Sequence, residues 1–169
     1  TIFFLFGDHG TSDPWAEHMP LSDYELSLRS YHVPLIIYGS GLKEKGVIRS
    51  DISMLPDLMP TVAGFADISY HNQTLGHDLM SLNDNQESYA LIVGKDRGYP
   101  TIGIVGKQYY LTMYHDGTNI KLYDLQSLGS PNDIKGNHPD VTMHYSRLVQ
   151  ALYETSKYML YHNSELLQP

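Results

Sequence analysis

The chain has no cysteine among its 169 residues. Disulfides, thiolate metal sites and cysteine nucleophiles are therefore excluded within it. That absence is compatible with an oxidising compartment without requiring one. Basic residues are scarce. Eleven Lys and Arg against 19 Asp and Glu give a formal net charge of -8. This balance disfavours nucleic acid or an anionic membrane as a partner. No apolar run approaches the roughly 20 residues that span a bilayer, and no targeting segment is evident. There is one tryptophan, against 14 tyrosines and nine histidines. With 41% hydrophobic and 18% charged residues, the composition is that of an ordinary folded domain with a sizeable core.

The most informative stretch is Thr1-Ile-Phe-Phe-Leu-Phe-Gly-Asp-His-Gly10. Its apolar run, rich in aromatic residues, suits a strand buried on both faces, which predicts a parallel α/β sheet. Gly7 and Gly10 allow an abrupt turn after it. In open α/β sheets the ligand crevice lies beyond the carboxyl ends of the strands, where Asp8 and His9 would stand. One carboxylate oxygen and one imidazole nitrogen can bind a divalent ion. The plainer alternative has Asp8 capping the turn and His9 on the surface. A chain whose first residue already lies in a core strand is expected to be the C-terminal part of a longer polypeptide.

Residues 11 to 21 read as a loop at the mouth of the sheet, carrying Trp15, Glu17 and His18. Ser22 is placed to cap a short helix reaching Ser30. Tyr31 to Tyr38 reads as a second strand, with Pro34 near its start. Ser53 is placed to cap a helix to Ala63, kinked or broken at Pro60 and stopped by Gly64. Tyr89 to Val93, Thr101 to Val105, Gln108 to Tyr114 and Asn119 to Leu125 read as strands of a small antiparallel sheet. Asp116-Gly117 forms a hairpin turn within it and Gly106-Lys107 another tight turn. From Pro139 a long helix runs to Tyr161. Residues 1–98 are expected to belong to the α/β core. Residues 99–169 supply the small sheet and terminal helix of the same domain.

Four blocks together resemble the sulfatase-like branch of the alkaline phosphatase superfamily. They are GDHG at 7–10, HVPLIIYGSGL at 32–42, SDISMLPDLMPTVAG at 50–64 with NQTLGHDLM at 72–80, and KLYDLQSLGSPNDIKGNHPDV at 121–141. The ordered set spans nearly the whole chain. Ser53, Asp57 and His77 depart from the pattern, which usually has Asp, Thr and Arg there. The resemblance implies a partial alkaline phosphatase-like core with parallel strands and helices, and one divalent metal (Mn, Zn, Ca or Mg) held by Asp8 and His9. It implies that the nucleophile and a further ligand lie in an N-terminal half absent from this chain. The GDHG-TSDPWAEH and HVP segments look more like the lipoteichoic acid synthase and phosphoglycerol transferase group than like the true sulfatases. That group moves phosphoglycerol or phosphoethanolamine onto cell-envelope polymers and is membrane-anchored outside the cytoplasm. The alternatives are a sulfuric ester hydrolase of the arylsulfatase kind and a non-catalytic domain that binds envelope glycans. The implied partner is a phosphate or sulfate ester, lipid- or glycan-linked. His18, His32 and Trp15 are the candidate substrate-binding residues. Packed, capping or lid roles are their plainer readings. If the first two strands are parallel, His32 falls at the far end from Asp8. An exposed sheet edge in such a fragment predicts self-association.

Overall fold

The computed structural model describes residues 1–13, 17, 19–42, 45–82 and 87–162. In chain order its elements are β1 (Ile2–Phe6), α1 (Leu21–Glu25), a 3-10 turn (Leu28–Ser30), β2 (Leu35–Gly39) and a second 3-10 turn (Leu55–Asp57). There follow α2 (Leu58–Ala66), β3 (Ala90–Asp96), β4 (Tyr99–Val105), β5 (Tyr109–Tyr114), β6 (Lys121–Asp124) and α3 (Pro139–Tyr161). The fold is mixed α/β, with a small antiparallel sheet and a long terminal helix. The chain divides into two compact units, Thr1–Ser50 with Leu125–Asn132, and Asp51–Asp124 with Asp133–Pro169.

In the first unit β1 and β2 form a two-stranded ribbon, and they pair antiparallel, Ile2 opposite Gly39 and Phe6 opposite Leu35. The expectation that the strands of this part are parallel is corrected for these two by this register. The expectation that β1 is buried on both faces is corrected too. Phe3, Leu5, Ile36 and Tyr38 share one face of the ribbon, and all four are exposed. Apolar composition made the strand, but nothing among the described residues covers this face. The helix expected from Ser22 to Ser30 is split. Leu21–Glu25 is α-helical, Ser27 adopts a left-handed backbone with φ 57°, and the chain restarts as the 3-10 turn. Ser22 does not cap; it is buried within α1.

The second unit is built on the sheet β3-β4-β5-β6, antiparallel throughout. Its strands fall where period-two patterning placed them. Ile102 faces Met113, Ile104 faces Leu111, and Leu111 faces Leu122 across the ladder. These five side chains are buried on one face of the sheet and cluster with Tyr145 and Val149 of α3. Val141, Leu148 and Leu152 complete the apolar stripe of that helix. Pro139 opens α3 where a missing N–H costs nothing. The β5–β6 turn follows its signal. Gly117 has φ 85°, and Asp116 accepts bonds from the Thr118 amide and hydroxyl at 2.9 and 2.7 Å.

The α2 region starts later than Ser53 predicts. Asp57 is fully buried, and its Oδ2 accepts the Met54 amide at 2.6 Å, closing the start of the 3-10 turn. Its Oδ1 accepts the His77 amide at 2.9 Å and lies 3.0 Å from His77 Nδ1. Asp57 and His77, both departures from the family pattern, are therefore partners. Because α2 begins at Leu58, Pro60 falls in its first turn and breaks nothing. Gly64 does not stop the helix; Asp67, left-handed at φ 51°, does.

Leu111→Ala is expected to destabilise the second unit by about 2–5 kcal/mol, the usual cost of a cavity in a tight core. The same truncation at exposed Leu5 should cost within about 0.5 kcal/mol of nothing. Urea unfolding of the two variants compares them; equal losses would contradict this assignment of the core.

Candidate metal and anion site

Asp8 and His9 follow directly on the end of β1, in the turn that Gly7 and Gly10 bracket. Both side chains are exposed, 88% and 77%. Their local geometry is ordered nonetheless. The His9 amide donates to Asp8 Oδ1 at 3.0 Å, and His9 Nδ1 lies 2.8 Å from the Gly10 carbonyl. A carbonyl oxygen only accepts, so Nδ1 carries the hydrogen. The lone pair of the neutral ring is thereby placed on Nε2, which is 3.8 Å from Asp8 Oδ1. A nitrogen and an oxygen at that separation can share one cation. Imidazole with carboxylate suits Zn and Mn better than an all-oxygen set would. The two residues fit part of a metal site. Among the described residues no group of three His, Cys, Asp or Glu that could hold an ion is found.

The antiparallel register decides where His32 goes. Leu35 stands opposite Phe6, so the segment leading into β2 runs beside the segment leaving β1. The Gly10 amide donates to the Ser30 carbonyl at 2.9 Å, and the Thr11 amide to the Arg29 carbonyl at 3.1 Å. A Cβ on Gly10 would lie 1.9 Å from the Arg29 carbonyl oxygen, so only glycine allows this approach. His32 consequently lies at the same end of the ribbon as His9. Both line a shallow cleft of about 600 Å³, together with Asp23 and Arg29. His32 Nδ1 is 4.0 Å from Asp23 Oδ2, beyond hydrogen-bond range. Trp15 and His18 lie outside the described residues.

Arg29 and Asp23 were not singled out from the sequence. One signal was available, because Arg29 is the only Lys or Arg in residues 1–42. Its guanidinium stacks over Tyr24 at 4.3 Å and donates from Nη2 to the Ser12 carbonyl at 3.1 Å. Its Nε and Nη1 are buried with no hydrogen-bond partner among the described residues.

The chain resembles BT4656, solved in complex with its substrate D-glucosamine-2-N,6-O-disulfate, at TM-score 0.62 and 18% identity over 76% of this chain. It resembles BT1596, a 2-O GAG sulfatase, at TM-score 0.66 and 20% identity over 92% of this chain. A Bacteroides thetaiotaomicron protein described as a sulfatase matches at TM-score 0.60 and 18% identity over 97% of this chain. The chain spans 29%, 36% and 38% of those three chains. The fold is therefore sulfatase-like and corresponds to part of such a domain. No family model matches the sequence, and no curated protein matches it.

The Gly10 carbonyl, first, and the Asp8 charge, second, hold the His9 pKa above the ordinary imidazole value of 6.5. A raised value means that the cation is favoured. Its contribution to stability is present below 6.5 and is lost as pH rises through the His9 midpoint. The ligating neutral ring exists only above that midpoint, so metal affinity should rise with pH through the same window. Following the His9 ring proton by NMR should show a midpoint above 6.5 that falls in Asp8→Asn. An unchanged midpoint in that variant would contradict the pairing.

Proposed function

We propose that this chain belongs to the catalytic domain of a metal-dependent ester-cleaving enzyme acting on sulfate esters of sugars. The observation that carries the reading is the Asp8–His9 pair at the strand end, with Nε2 freed toward the carboxylate, in a sulfatase-like fold. The substrate class is suggested by the sulfated glucosamine bound to one structural neighbour and the GAG sulfatase activity named for another.

Asp8 and His9 would hold a divalent ion, which when bound neutralises charge on an ester oxygen and acidifies a hydroxyl nucleophile. A hydroxyl from outside this chain would attack the ester sulfur or phosphorus in line and give its proton to a base, as the bond to the alcohol oxygen breaks and that oxygen takes up a proton. His32 lines the cleft and would donate a hydrogen bond to a non-bridging oxygen. His18 and Trp15 remain candidates for the same anion and for the sugar ring. The nucleophile, a further metal ligand and the strands that cover the ribbon would come from another part of the catalytic domain, since this chain spans 29% to 38% of its structural neighbours. An extracytoplasmic location, with membrane anchoring, belongs to the same proposal.

A second reading is transfer of phosphoglycerol or phosphoethanolamine onto envelope polymers. It is favoured by the GDHG turn and the HVP segment, whose histidine the register brings to the cleft. Non-catalytic glycan binding is a third outcome.

In the complete catalytic domain, Asp8→Ala and His9→Ala should each lower turnover of a glucosamine sulfate ester about a hundredfold or more while the protein stays folded. Undiminished turnover in both variants would refute the metal assignment. Turnover of a phosphoglycerol lipid but of no sulfate ester would favour the second reading. Sugar binding without turnover of either, sensitive to Trp15→Ala alone, would favour the third. The chain expressed alone should self-associate through its exposed ribbon, seen as a sedimentation coefficient that rises with concentration. A constant monomer value would contradict this.

A further inference from the structure

We infer that Arg29 is a positioning residue for His9: it holds the strap that fixes which ring nitrogen of His9 faces the metal. The inference rests on the metal reading of Asp8 and His9, but its structural basis is independent of any bound ion.

The turn after β1 is stitched to the 3-10 turn by four hydrogen bonds. Gly10 donates to the Ser30 carbonyl at 2.9 Å, and Thr11 to the Arg29 carbonyl at 3.1 Å. Arg29 Nη2 donates to the Ser12 carbonyl at 3.1 Å, and Ser30 Oγ to the Thr11 carbonyl at 3.3 Å. Together they fix the Gly10 peptide, and the Gly10 carbonyl is the group that takes the Nδ1 hydrogen of His9. A neutral imidazole in water prefers its hydrogen on Nε2, which would leave the wrong nitrogen for a ligand on this side. The Gly10 carbonyl reverses that preference only while it is held in place. An outer hydrogen bond that sets tautomer and ring orientation is a recurrent requirement of histidine ligands. Here the requirement extends one step further back, to the side chain that clamps the strap.

Arg29 is costly in this position. Two of its donors are buried with no acceptor among the described residues. Burying such groups is unfavourable, and an apolar residue stacked on Tyr24 would avoid that cost. An apolar residue would also lose the bond to the Ser12 carbonyl. The arginine trades stability for the strap's geometry, a trade typical of functional sites. The same constraint explains Gly10, where any Cβ would strike the Arg29 carbonyl.

The test is ¹⁵N NMR of the His9 ring in this chain without metal, at a pH where the ring is neutral, with Mn²⁺ titration of the complete catalytic domain alongside. Wild type should show the Nδ1–H tautomer. Arg29→Ala should shift His9 to mainly Nε2–H and weaken Mn²⁺ binding about tenfold, and Arg29→Lys should restore part of both. Should Arg29→Ala fail to fold, Ser30→Ala removes one side-chain bond of the same strap and should shift the tautomer in the same direction. A folded Arg29→Ala or Ser30→Ala that keeps Nδ1–H overturns the inference, as does a wild type already in the Nε2–H form. Wild type that binds no Mn²⁺ while the tautomers change as stated would fault the metal reading and leave the positioning role standing.

Discussion

The antiparallel register of β1 and β2 is the constraint on which the candidate site depends. Placing Phe6 opposite Leu35 makes the chain leaving one strand run beside the chain entering the other. From that follow the bonds of Gly10 and Thr11 to Ser30 and Arg29, the need for glycine at position 10, and the placing of His32 in the same cleft as His9. A slip of one residue would turn every ribbon side chain to the opposite face and part these groups. Asp8 and His9 are exposed and almost without packing of their own, so their geometry is borrowed from this pairing.

Much of the second unit was legible because its signals are local. Period-two patterning and the Asp116-Gly117 turn place β4, β5 and β6, and the 3.6-residue stripe from Val141 to Leu152 places α3. Those features are written within a few residues of where they act. Strand direction is not. A run such as Ile2–Phe6 reports that a strand wants cover on both faces. Whether its partner runs parallel or antiparallel depends on the connection, here a helix, a left-handed Ser27 and a 3-10 turn. The apparent objection to His32 came from that one assumption about direction and disappears with it.

The start of α2 failed to follow its local signal for a related reason. Ser53 is a good capping residue, but Asp57 takes the Met54 amide and closes the turn three residues later. Asp57 is drawn there by long-range partners, the amide and ring of His77, twenty positions away in sequence. Arg29 was overlooked because a single arginine in a presumed helix reads as solvated surface. Only its bond to Ser12 and its place against Tyr24 show that it ties two segments together.

At the end of β1, His9 Nε2 and a carboxylate oxygen of Asp8 stand 3.8 Å apart. The most direct test is a metal-loaded structure of the complete catalytic domain. The expected result is one ion bound by both His9 Nε2 and an Asp8 oxygen, each at about 2.0–2.3 Å. An ion bound elsewhere in the domain, with Asp8 and His9 left facing solvent, would contradict it.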